Sequence, residues 1–216
     1  MKRGAALIAG CVAALSAAHG AELRATVRDE AGVPLADAVV VAVPEGAARS
    51  LAPRGHVEQI EQIDLEFVPG VKAIQAGTSV SFPNRDKVRH HVYSFSAPKR
   101  FDLPLYSGTP PQPVLFDVPG VVTIGCNIHD WMIGYLYVAE SPYFAKSDAA
   151  GAARIAELPP GRYAVRVWHA RLTGAEASTR RALDIPAAGA AVEWRLPLKP
   201  EMRVRRAPAA SRDGHY

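Results

Sequence analysis

Proline and glycine interrupt this chain so often that long helices have little room. Eighteen prolines and seventeen glycines stand among its 216 residues. Proline removes a backbone donor and glycine frees the backbone, so both mark turns. Between them lie short apolar runs with a strand pattern. Leu23 to Val27 alternates, Ala38 to Val43 is continuously apolar, and Tyr163 to Trp168 alternates again. The expected fold class is all-β. With 49% hydrophobic and 21% charged residues the chain can fill a core, and its length suits one large domain or two small ones.

Residues 1–20 read as a signal peptide rather than as fold. Lys2 and Arg3 precede an apolar run, and Ala18-His19-Gly20 places small residues where a signal peptidase cleaves. The run is too short and too alanine-rich for a membrane anchor. Ile8-Ala9-Gly10-Cys11 is similar to a lipobox, but few apolar residues precede Cys11, so a cleaved, periplasmic protein is the expectation. No later segment is a transmembrane candidate. Cleavage removes Lys2 and Arg3, leaving 23 basic residues against 21 acidic ones. That balance is too even to argue for nucleic acid. Cleavage also removes Cys11, so Cys126 has no disulfide partner in its own chain. A lone thiol in an oxidising compartment is a liability unless it is buried or metal-bound. A small buried core residue is the plainer alternative.

The rest divides into blocks. Residues 21–50 carry the first strands. The polar stretch 47–62 has no clear period and reads as a linker or exposed loop. Residues 57–140 form the central block, within which the proline-rich 98–113 reads as an irregular excursion. Residues 141–199 carry a last set of strands, and 200–216 is a basic tail with a disordered composition. Val27-Arg28-Asp29-Glu30-Ala31-Gly32-Val33-Pro34-Leu35-Ala36-Asp37-Ala38-Val39-Val40 resembles the opening of a carboxypeptidase-regulatory-like (transthyretin-like) sandwich. Ser147-Asp148-Ala149-Ala150-Gly151 through Pro159-Pro160-Gly161-Arg162-Tyr163 resembles its continuation. The two pieces are expected to be one sandwich split by an inserted domain, with two separate sandwiches as the rival.

Cys126-Asn127-Ile128-His129-Asp130-Trp131-Met132 holds a thiolate, an imidazole and a thioether within seven residues. Thiolate and thioether favour Cu(I), and imidazole accepts both copper oxidation states. A Cys at a strand end, a His three residues on and a Met three beyond can converge on one ion across a tight loop. Gly134 then lets the next strand leave closely. A trigonal site needs one more strong ligand. His90 and His91 are the candidates, and period two lets only one of them face inward; His90 is favoured. Zinc would accept two His and one Cys but gives Met132 no role. A two-copper centre needs a second Cys. A catalytic Cys–His pair lacks an orienting acid. His56, His169 and His215 stand in no such pattern.

Gly77-Thr78-Ser79-Val80-Ser81-Phe82-Pro83-Asn84-Arg85-Asp86 followed by His90-His91-Val92 resembles the first ligand region of cupredoxins. Cys126-x-x-His129-x-x-Met132-x-Gly134 is similar to the short ligand loop of the amicyanin type within that family. The resemblance covers roughly residues 60–140. It implies a Greek-key β-sandwich inserted in, or flanked by, the transthyretin-like sandwich. It also implies one type 1 copper ion, with His90, Cys126 and His129 equatorial and Met132 axial. Asn84 matches the position that ties the two ligand loops together, and His91, standing where cupredoxins usually carry Asn, is left as an outer-shell or surface residue beside the site. Asp130 and Trp131 replace the Pro and Phe of the amicyanin loop.

The implied function is periplasmic one-electron transfer by a non-enzymatic monomer. Its partner would be a dehydrogenase or a cytochrome c. A link to amine (methylamine) oxidation is implied by likeness to methylamine-utilization-type proteins. His129 would lie nearest the surface among Ile128, Trp131 and Ile133, an apolar docking patch or else ordinary core. Lys87, Arg89, Lys99 and Arg100 either ring it with positive charge that attracts an acidic partner or are ordinary solvated surface. The alternatives are copper binding or delivery without redox shuttling, and a structural or adhesion module.

Overall fold

The computed structural model describes residues 20–46 and 57–200. The signal peptide with its lipobox, His56, the tail after residue 200 and His215 lie outside the described residues. In chain order the first strands are β1 (Ala21–Asp29), β2 (Val39–Pro44), β3 (Val57–Gln59), β4 (Glu61–Ile63), β5 (Glu66–Val68) and β6 (Val71–Gln75). They are followed by β7 (Thr78–Ser81), β8 (His90–Ser94), β9 (Phe101–Tyr106), β10 (Val114–Phe116), β11 (Gly120–Gly125) and β12 (Ile133–Ala139). The last are β13 (Phe144–Lys146), β14 (Ala152–Leu158), β15 (Gly161–Trp168), β16 (Arg181–Ile185) and β17 (Ala190–Leu196), with a short 3-10 turn at Glu176–Thr179. The protein is all-β, and no helix among the described residues is long and apolar enough to cross a membrane.

Two sandwiches are built from these strands. In one, β1 lies between β14 and β17, and β2 lies between β13 and β15 with β16 at the edge. Strands from before residue 47 thus pair directly with strands from after residue 143. Leu23, Val27, Val40, Tyr163, Val165 and Trp194 fill the space between its sheets. In the other sandwich, the sheet β10-β7-β3 faces the five-stranded sheet β6-β12-β11-β8-β9, and β4 and β5 form a hairpin at the side. Its core includes Ile60, Phe82, Val92, Phe116, Ile124 and Leu136.

The unbroken apolar run of β2 has a physical cause. Val40 and Ala42 point into the first core, while Val39 and Val41 point the other way into a cluster with Val71, Tyr137, Ala139 and Trp168. On the other side of that cluster β12 does the same: Leu136 and Val138 face the second core, Tyr137 and Ala139 face β2. Val39–Ala42 of β2 and Leu136–Ala139 of β12 are buried on both faces, so neither stretch can alternate. The seam also holds polar groups. Tyr137 donates to Glu176, Arg166 Nε donates to Glu176 at 2.7 Å, and a further Arg166 nitrogen donates to Glu140. Burial first, then the nearby Glu176 carboxylate, push the Tyr137 phenol far up, so it remains a donor.

Two expectations are corrected. Residues 57–62 are not an exposed linker. They form β3 and β4, with Ile60 and Gln62 fully buried. Glutamine and glutamate hid the pattern, because the inward Gln62 is polar. Likewise 98–113 is not wholly irregular, since 101–106 is β9. Pro104 is tolerated there because β9 is the outermost strand of its sheet and pairs only with β8.

Trp168 packs against Tyr135 and Tyr137 with ring centroids 5.7 and 5.8 Å away. Trp168→Ala is expected to cost about 3–5 kcal/mol, measured as a lowered midpoint of denaturant unfolding.

Candidate metal centre

His90 opens β8, where burial alternates: His90, Val92 and Ser94 are inward, His91 and Tyr93 half-exposed. Period two therefore separates the two histidines. His90 is fully buried, whereas His91 pairs with Asp102 on β9 and rests its ring 5.4 Å from Tyr93. Cys126 follows the end of β11, and Met132 precedes β12. A tight turn between them is closed by Met132 N–H donating to the His129 carbonyl at 2.9 Å and Cys126 N–H to the Met132 carbonyl at 3.3 Å. Gly134 makes this close departure possible. A Cβ there would lie 3.1 Å from both Phe67 and Ile124 side-chain atoms.

The fold brings His90, Cys126 and His129 together, their ligand atoms all within 4.8 Å of one another. Cys126 Sγ is 3.8 Å from His90 Nδ1 and 3.7 Å from His129 Nδ1. An ion with bonds of about 2.0–2.1 Å to nitrogen and about 2.3 Å to sulfur, spread in a plane at about 120°, spaces nitrogen and sulfur about 3.8 Å apart. The observed spacings match that trigonal arrangement. The donor set of one thiolate and two imidazoles suits copper or zinc. Met132 is buried in the same core cluster as Cys126, and its thioether chemistry is that of a copper ligand. Burial first, then the neighbouring His90, hold the His129 imidazole below its usual range, against a smaller pull from Asp86. A neutral ring keeps the lone pair that a metal needs.

Other residues brace these ligands. Asn84 is buried. Its Nδ2 donates to the carbonyls of Val88 at 2.8 Å and Tyr106 at 3.0 Å, and its Oδ1 accepts from Asp86 N–H at 2.9 Å. These bonds run within the 84–90 segment and to β9, so Asn84 stiffens the first ligand segment. The expected tie between the two ligand loops is not what they form. Asp86, which sequence reasoning passed over, places Oδ2 2.7 Å from His90 Nε2 and also accepts from the backbone of Asp64 and Leu65. Partial burial disfavours its charge. Hydrogen bonds from Leu65, His90 and Asp64 more than offset this, and its carboxyl titrates below the usual range. Its place four residues before His90 was the available signal.

Tyr106 stands opposite His90 in the β8–β9 register. Its hydroxyl donates to the Phe82 carbonyl and accepts from Gln62 Nε2, each at 2.6 Å. Burial first, with the Cys126 sulfur adding to it, pushes this phenol up to about 12. His169 lies outside the metal cluster and accepts from the Arg171 backbone at 3.2 Å.

The surface beside the candidate site carries apolar side chains next to the exposed Asn127 and Asp130. Ile128 is 49% exposed and Ile133 45%. Trp131 is half-buried, with its ring 5.3 Å from that of His129. These residues form a surface patch rather than core, although Trp131 also packs on the core beneath. Lys87, Arg89 and Arg100 are exposed and Lys99 is half-buried.

Tyr106→Phe removes two hydrogen bonds and leaves Gln62 Nε2 without one of its partners. A loss of about 1–3 kcal/mol is expected, measured by chemical denaturation of the copper-free protein.

No family model matches the chain. No curated protein matches it either. Among solved structures it is similar to a copper-containing nitrite reductase from Thermus scotoductus SA-01, at 27% identity and a TM-score of 0.38 over 47% of this chain and 26% of that one. It is similar to a purple cupredoxin from Nitrosopumilus maritimus, at 24% identity and a TM-score of 0.34 over 38% of this chain and 99% of that one. It is also similar to a copper(I) form of an amicyanin variant, at 14% identity and a TM-score of 0.35 over 45% of this chain and 98% of that one.

Proposed function

We propose that the chain is a periplasmic type 1 copper protein that transfers single electrons, with copper held by His90, Cys126, His129 and Met132. The spacing of Cys126 Sγ from the two Nδ1 atoms carries this reading, because it suits a trigonal ion. Bound copper would supply a one-electron couple. The protein's part is to hold two soft sulfurs and two imidazoles together, with only His129 reaching toward the surface. Cys126 and Met132 are buried and His90 is fully so. Four protein donors to one ion leave no open position for a substrate, which supports a carrier rather than an enzyme.

The exposed Ile128 and Ile133 beside His129 offer the place where a redox partner docks, a dehydrogenase or a cytochrome c. Lys87, Arg89 and Arg100 favour an acidic partner. Amine oxidation is the process we connect with this role, on the amicyanin-like ligand spacing. The carrier acts as a monomer, exported by its signal peptide. The sandwich of β1, β2 and β13–β17 is read as one transthyretin-like module, residues 21–50 and 141–199, interrupted by the copper domain 57–140.

Copper added to the purified protein is expected to give an intense thiolate-to-copper absorption in the visible and a reversible one-electron couple. Cys126→Ser is expected to abolish the colour. A colourless copper-loaded protein, or a colour that survives Cys126→Ser, overturns the reading. Colour without a reversible couple points to copper delivery. With an acidic redox partner, Lys87→Glu combined with Arg89→Glu is expected to slow association about tenfold at low salt, and the difference should shrink as salt is added.

A further inference from the structure

Asp86 stands between the buried ligand His90 and a strained turn. Its Oδ2 lies 2.7 Å from His90 Nε2 and accepts from Leu65 N–H at 3.0 Å, while Oδ1 accepts from Asp64 N–H at 2.7 Å. Asp64 and Leu65 form the turn of the β4–β5 hairpin, both left-handed, with φ of 53° and 61°. Two successive residues of this kind are costly without glycine. Here they aim adjacent N–H groups at one carboxylate. The same hairpin reaches the other ligand segment, where Phe67 on β5 abuts Gly134, two residues past Met132.

His90 is fully buried, so its ring N–H needs a protein acceptor. A neutral imidazole carries one N–H, and whichever nitrogen holds it cannot bind a metal. With Nε2 facing a carboxylate, the proton belongs on Nε2, and the Nδ1 lone pair is left toward Cys126.

We propose that Asp86 is the positioning residue of the metal centre, selecting the His90 tautomer that presents Nδ1 to the ion and locking the ring through its anchorage on the β4–β5 turn. This rests on the metal-site reading above. A charged acceptor behind the ring also strengthens the ligand as a donor and favours Cu(II) over Cu(I). Asp86→Asn retains an oxygen for His90 and Leu65 but removes the charge and the bond from Asp64. Asp86→Ala removes every side-chain bond.

Three measurements on the full-length protein test this. In the copper-free protein, nitrogen NMR is expected to show His90 protonated at Nε2 and bare at Nδ1; a proton on Nδ1 overturns the proposal. In Asp86→Asn, competition with a chelator is expected to show copper(II) bound about 10–100-fold more weakly. The reduction potential of that variant should rise. If Asp86→Asn loses stability while copper affinity and potential stay at wild-type values, Asp86 serves only the hairpin and the proposal fails. Asp86→Ala should weaken copper further; where it does not fold, Asp86→Asn and the tautomer still decide. A wild-type protein that takes up no copper refutes the copper reading, and the His90 tautomer then remains the test of Asp86 alone.

Discussion

Strands β2 and β12 face each other across a seam in which Val39–Ala42 and Leu136–Ala139 have no solvent side. Each sends alternate side chains into its own sandwich and the others into the shared layer of Val39, Val41, Val71, Tyr137, Ala139 and Trp168. Registry in such strands is strict, since a slip of one residue would exchange two apolar faces of different shape. β12 begins one residue after Met132, and β11, its neighbour, ends one residue before Cys126. The seam therefore holds the base on which both ends of the ligand turn stand. The polar group of Tyr137, Glu176, Arg166 and Glu140 sits within the same seam and is satisfied internally, as burial requires.

At the ligand turn the candidate site is assembled from two segments far apart in sequence. His90 comes from β8, Cys126 and His129 from the turn between β11 and β12. β8 and β11 are adjacent in the sheet, with Tyr93 opposite Gly125, and the absence of a side chain on Gly125 lets the Tyr93 ring lie close beside the ligand turn. Support comes from Asp86 behind His90, Asn84 within the first segment and Tyr106 opposite it. The buried imidazole and thiol are thus held in place by protein partners on several sides.

Much of this was legible in the residues. The Cys126-x-x-His129-x-x-Met132 spacing and the adjacent histidines defined the candidate ligands, and period two required that only one of His90 and His91 face inward. The strand content followed from short apolar runs bounded by proline and glycine. Other features were hidden. β3 and β4 carry an inward Gln62, so a buried strand reads as polar. β9 contains Pro104, which local rules place outside a sheet unless the strand is an edge. Asp86 was overlooked because a carboxylate four residues from a histidine is a weak signal until a loop turns one toward the other. Asn84 was expected to bridge two loops and instead braces one, a distinction that depends on where β9 passes.

By itself the sequence determined the all-β class, the chemical identity of the donors and their local spacing, because these depend on propensity, period and side-chain type over a few residues. Only the tertiary structure decided which histidine is buried, that Cys126 lies 3.8 and 3.7 Å from two imidazole nitrogens, and that β2 and β12 are covered on both faces. Apart from the Cys126–His129 contact within one turn, those outcomes rest on contacts between residues tens of positions apart. Their energies come from packing and from satisfying buried polar groups, and neither is visible until distant strands are side by side.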